Sequence, residues 1–219
     1  MKAFNDKKRL ALLVAVITLQ LITAFSLLCY TARVKSHAQK NGFVIRLSCQ
    51  AYDPFSPLKG RYVRLTIAES RNDSLFLDEE STESMSSCRG GKIYCIMKEG
   101  SDGLWHTDSF RSSMPSGSNT KESSDGIYVE VKRPLFYSNK DGSYSVSVTY
   151  SFTEYYMQED YARYVDTIRW DDFNALEPVL SLYVGKDGRC VQKDLTVMYE
   201  GRRIPIEEYC NIAISAGTV

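Results

Sequence analysis

Histidine and tryptophan are scarce in this 219-residue chain, two of each, and its 27 basic side chains are balanced by 27 acidic ones. With only His37 and His106, there is little material for imidazole catalysis or a histidine-rich metal site. Zero net charge removes the case for bulk attraction to nucleic acid or anionic lipid. No G-x-x-x-x-G-K-[ST] loop, G-x-G-x-x-G turn or nucleophile elbow occurs, so nucleotide and acyl-transfer chemistry have no footing. No cysteine pair has zinc spacing. The expectation is a protein without metal, cofactor or nucleic acid. What is present is a folding composition, 43% apolar and 12% aromatic, with fifteen tyrosines.

From Leu10 to Ala32 no residue is charged. A helix of that length covers the roughly 30 Å hydrocarbon core of a bilayer. Lys2, Lys7, Lys8 and Arg9 precede the run, which favours a cytoplasmic N-terminus and an extracytoplasmic remainder. The run exceeds a signal-peptide core and no A-x-A site closes it, so an uncleaved anchor is expected rather than a cleaved leader. Leu27 and Leu28 before Cys29 speak against a lipoprotein. The domain plan is a cytoplasmic 1–9, an anchor at 10–32, a linker at 33–42 and one domain at 43–219.

That domain reads as β-rich α+β, with mostly antiparallel sheet and one inserted helix. Tyr144, Val146, Val148, Tyr150 and Phe152 alternate with serines and threonines, the pattern of a strand buried on one face. Phe43, Ile45, Leu47 and Cys49, then Val63, Leu65 and Ile67, then Ile127, Val129 and Val131 form further inward sets. Turns are expected at Ser101-Asp102-Gly103, Lys140-Asp141-Gly142-Ser143 and Lys186-Asp187-Gly188-Arg189. Residues 112–125, rich in Ser, Gly and Asn, read as a long mobile loop. Helical spacing of Tyr161, Tyr164, Val165 and Ile168 predicts one helix over 159–177, stopped by Pro178.

Five cysteines lie beyond the anchor: Cys49, Cys88, Cys95, Cys190 and Cys210. An oxidising compartment permits Cys88 with Cys95 and Cys190 with Cys210 as disulfides; reduced, buried thiols are the equal alternative. His106 beside a turn reads as an edge-strand histidine. Ser56 and Lys59 stand where a membrane-anchored Ser–Lys hydrolase carries its serine, but no second buried lysine follows. Paired carboxylates at 79–80, 171–172 and 207–208 read as solvated faces.

The most distinctive stretch runs from Leu47 to Ile67: strand, a turn rigidified at Asp53-Pro54, then Gly60 and a second strand. Alternation puts Val63, Leu65 and Ile67 inward and leaves Tyr62, Arg64 and Thr66 on the other face, where they could meet a carboxylate or a partner. Gly60, Tyr62 and Leu65 resemble the signature of the GDYXXLXY family, with Arg61 in place of its Asp and Ile67 in place of its last Tyr. Glu154-Tyr155-Tyr156 and Glu159 are similar to a second family segment, without the glycines that follow it there. The likeness spans roughly Phe43 to Tyr209 together with the anchor. It implies a bacterial envelope protein of the inner membrane, encoded among multipass membrane proteins. The reading is a non-enzymatic accessory subunit of a membrane complex. Its contact residues are Asp53, Pro54, Gly60, Tyr62, Arg64, Leu65, Glu154, Tyr155, Tyr156 and Glu159. The alternatives are an envelope ligand binder or enzyme with Asp53, Arg64, Glu154 and Glu159 around a pocket, and a plain spacer.

Overall fold

The computed structural model describes residues 2–51, 62–75, 77–87, 92–119 and 126–217. Its contacts separate two units, 1–40 and 41–219. The first is one helix, α1 (Lys2–Asn41). Within it Leu10–His37 is long and apolar enough to cross a membrane, and its apolar stretch is unburied. The Thr18 and Thr23 hydroxyls donate to the Val14 and Leu19 carbonyls at 2.8 Å, which keeps both polar groups partnered in an apolar medium. The helix runs on past Ala32 as far as Asn41.

The second unit is built of two antiparallel sheets. The six-stranded sheet uses β1 (Phe43–Ala51), β2 (Tyr62–Ile67), β8 (Glu154–Tyr156), β9 (Val179–Val184), β10 (Cys190–Tyr199) and β11 (Arg202–Pro205), in the order β11-β10-β9-β1-β2-β8. The five-stranded sheet uses β3 (Arg71–Leu75), β4 (Lys92–Glu99), β5 (Trp105–Arg111), β6 (Ile127–Ser138) and β7 (Tyr144–Thr149), in the order β3-β7-β6-β4-β5. A single 3₁₀ turn, Ala68–Ser70, carries the chain from β2 in one sheet to β3 in the other.

Period-two sequence produces the core directly. Ile45, Leu47, Val63, Leu65 and Ile67 from the first sheet are buried in one cluster with Ile93, Cys95, Val129, Val131, Val146 and Val148 from the second. Each such side chain contributes roughly 1.5–3 kcal/mol by leaving water. The three expected turns form, with Gly103, Gly142 and Gly188 at φ of 74°, 85° and 77°. Gly188 is required for a second reason: a Cβ there would meet the Tyr94 ring at 3.0 Å and the Tyr128 carbonyl at 3.1 Å.

The helices differ from expectation. The stretch 159–177 forms two short helices, α3 (Glu159–Val165) and α4 (Trp170–Ala175), because the Thr167 hydroxyl closes on the Tyr164 carbonyl at 2.7 Å and ends the first. Two further helices, α2 (Glu79–Ser87) and α5 (Ile206–Ser215), were not foreseen. Asp78 starts α2, accepting the Ser81 N–H at 2.8 Å. The expected mobile loop is fixed at Asn119, which is 1% exposed.

Candidate functional site

The two segments singled out by sequence, some ninety residues apart in the chain, are adjacent strands. In register, Tyr62 lies opposite Tyr156, Val63 opposite Tyr155 and Arg64 opposite Glu154. Directly opposed residues of antiparallel strands share a face. Tyr62, Arg64, Glu154 and Tyr156 therefore stand together on the outer face, and Val63, Leu65 and Tyr155 point into the core. The Tyr62 and Tyr156 rings lie 5.6 Å apart and tilted at 45°. Tyr62 is 7% exposed while Tyr156 is 55% exposed, so the first ring is packing and the second is surface. The Tyr156 hydroxyl donates to Glu154 Oε2 at 2.8 Å. Among the described residues, no ion pair reaches the exposed Arg64 guanidinium.

Adjacent tyrosines thus do different work. Tyr155 faces inward, and its hydroxyl donates to Glu207 Oε1 of α5 at 2.9 Å. Burial, reinforced by the Glu207 charge, pushes that phenol well above its ordinary value. From β10, at the bulge between Gln192 and Asp194, the Gln192 amide donates to the Phe152 and Glu154 carbonyls at 2.9 and 3.0 Å. Leu65 N–H takes the intervening Thr153 carbonyl at 2.7 Å. The carbonyls of Phe152, Thr153 and Glu154, leading into this short strand, are therefore all occupied, although the strand ends the sheet. Glu159 is not part of this face: it opens α3 and pairs with Arg163 one turn on. Asp53, Pro54 and Gly60 lie outside the described residues, as does Cys88. Gln192 and Glu207 were missed by sequence reasoning, because no local pattern announces a contact across some forty or fifty residues.

A second polar cluster gathers round His106, on edge strand β5. Its Nδ1 lies 3.0 Å from Glu69 Oε1 and its Nε2 lies 3.2 Å from Asp102 Oδ2. Glu69 Oε2 accepts the Thr107 N–H at 2.7 Å, and the Glu69 carbonyl accepts the Tyr150 hydroxyl at 3.3 Å. Partial burial lowers the imidazole pKa, but hydrogen bonds and charge from Glu69 and Asp102 outweigh it, and the net shift is upward. The four-residue spacing from Asp102 to His106 was readable; Glu69 was not.

Cys49, Cys95, Cys190 and Cys210 carry free thiols. Burial raises Cys49, Cys95 and Cys210 to about 12 and Cys190 higher still, so none is a nucleophile near neutrality. Among the described residues, no group of three or more His, Cys, Asp or Glu side chains is arranged to hold a metal ion. A shallow groove of about 180 Å³ lies on the five-stranded sheet, lined by Arg71, Leu135, Tyr137, Ser145, Val146 and Ser147.

The family profile described as GDYXXLXY protein matches residues 24–195, most of the chain, starting inside α1 and ending in β10. Comparison with curated proteins and with solved structures finds no match. The chain belongs to the GDYXXLXY family.

Proposed function

Taking GDYXXLXY membership as the premise, we propose that this chain is a membrane-anchored accessory subunit. Its domain lies outside the cytoplasm and docks a membrane-protein partner through the outer face of β2 and β8. The observation that carries this reading is the register of Arg64 against Glu154 beside the exposed Tyr156. It concentrates a cation, an anion and an aromatic ring on one rigid surface, the composition of a specific contact patch. Because Gln192 occupies the carbonyls of Phe152 and Glu154 at the start of β8, the partner reads side chains rather than adding a strand. The Lys2, Lys7, Lys8 and Arg9 cluster before the apolar run supports the assigned sidedness.

The test is a mild-detergent pull-down of the full chain from native membranes, read by mass spectrometry. It is repeated with Arg64→Ala and Tyr156→Ala combined. A near-stoichiometric multipass protein that the double variant loses is the expected result. A partner retained undiminished by the variant would reassign the surface.

One observation favours a second reading, a small-ligand site. Glu154 and Arg64 share a face, as a pocket for a ligand bearing both charges requires. A small molecule retained in native mass spectrometry of the partner-free protein would favour it.

A further inference from the structure

His106 has only two nitrogens, and each faces a different carboxylate from a different part of the chain. Glu69 belongs to the 3₁₀ turn that crosses between the sheets, and Asp102 to the turn between β4 and β5. A neutral imidazole has a single N–H, so it can donate to one of these carboxylates and presents a lone pair to the other. The imidazolium donates to both, with its charge between two anions. Glu69 meanwhile holds the Thr107 N–H, where the β4–β5 pairing shifts register and leaves the edge strand unevenly paired.

We propose that His106 is a proton-operated latch. Doubly protonated, it ties Glu69 to Asp102 and fastens edge strand β5 and its turn to the crossover between the sheets; neutral, it releases one of the two. The surroundings agree with that assignment. Across on β4, Lys98 lies opposite His106 in register, but its ammonium is engaged with Asp108 of β5 at 3.0 Å. The turn contributes Asp102, and the crossover contributes Glu69. Behind Thr107 lies the neutral Cys95 thiol, 3.4 Å from its hydroxyl, and Tyr150 reaches Glu69 only at the backbone. The net field at the ring is anionic. The crossover begins one residue after Ile67, so the latch acts at the exit of the motif strand β2.

The direction in pH follows. The histidine titrates above its ordinary value of about 6.5, so its contribution is complete below that value. It is lost as pH rises through the elevated pKa of the folded protein.

The experiment uses the full chain in detergent micelles with isotope-labelled histidine. Only His37 and His106 give imidazole signals, and His106→Gln assigns them. The expected result is a His106 pKa above 6.5 that falls in Asp102→Asn and in Glu69→Gln. Amide protection, corrected for intrinsic exchange, should drop by about tenfold across the same titration at Thr107, held by Glu69, or at Leu104, held by Asp102, and stay constant at both in His106→Gln. Should Glu69→Gln fail to fold, Asp102→Asn at the exposed turn suffices for the pKa arm. A His106 titration at the ordinary value overturns the latch. So do flat profiles at both Thr107 and Leu104, even beside a raised pKa, because the ring would then titrate without fastening anything.

Discussion

The side chain of Asn119 pairs with the backbone of Tyr128 as a neighbouring strand would. Its Oδ1 accepts the Tyr128 N–H at 2.7 Å, and its Nδ2 donates to the Tyr128 carbonyl at 2.9 Å and to the Gly185 carbonyl at 3.0 Å. That stretch of β6 precedes the point where β7 begins to pair, at Lys132 opposite Thr149. One amide fills the gap and joins it to the β9–β10 turn. Asn119 sits at φ 53°, a conformation asparagine tolerates better than most residues. Asn119→Ala would leave three backbone groups without this partner, each costing about 1–3 kcal/mol when buried. A loss of about 3 kcal/mol in urea unfolding is expected, and a loss under about 1 kcal/mol would show that the gap refills.

The adjacent tyrosines give a paired comparison. Tyr155→Phe removes the hydrogen bond to Glu207 and is expected to cost about 1–2 kcal/mol. Tyr156→Phe loses an exposed bond to Glu154 and should leave the melting temperature within a degree or two. Thermal melts of the two variants decide it; equal losses would contradict the inward–outward assignment.

Gln192→Ala strips the Phe152 and Glu154 carbonyls of their donor. About 1–2 kcal/mol of stability should go with it, and hydrogen exchange should rise along 152–156 before the rest of the sheet. Uniform protection along that segment would mean the cap is dispensable.

Acid should loosen α2. Hydrogen bonding to Ser81, with Arg111 alongside, holds the Asp78 carboxyl below its ordinary value of 3.8. A lowered pKa contributes stability above the ordinary value that is lost as pH falls through the depressed one. Asp78→Ala should cost about 1 kcal/mol near neutrality and flatten the acid limb of a melting-temperature profile. An acid limb unchanged in the variant would place that sensitivity elsewhere.

Maleimide added at pH 8 to the folded, detergent-solubilised chain should leave the buried Cys49, Cys95 and Cys210 unmodified and the half-buried Cys190 slow to react, and urea should open Cys49 and Cys95 to labelling. Peptide mapping without reductant reports at the same time whether Cys190 and Cys210 are joined in the native protein. Rapid labelling of Cys95 in the folded state would contradict its burial.

Much of the sheet architecture was legible because alternation is a local signal. Ile45, Leu47, Val63, Leu65, Ile67, Ile127, Val129, Val131, Val146 and Val148 all face inward as their spacing dictates. Helix α5 was legible too, with Ile206, Cys210 and Ala213 at helical spacing after Pro205, and was overlooked. Helix α2 was not: its sequence is glutamate, serine and one threonine with one apolar residue, Met85, and it is held by Asp78 and by Ser81 hydrogen-bonded to Phe110. At the candidate site, the faces of Tyr62 and Arg64 follow from period two, while the pairing of β2 with β8 depends on the whole topology. Tyr62 shows the limit of a pattern, since it lies on the outer face and is still covered.

Because Tyr155 and Tyr156 serve opposite sides of one short ribbon, β8 carries its information as phase. Replacing either ring changes one contact. Deleting or inserting a single residue ahead of them would exchange the two roles, sending the anchor into solvent and the surface ring into the core. The segment should therefore accept changes of side chain far more readily than changes of length. Among relatives, variation in length is to be expected in the turns rather than between Phe152 and Tyr156.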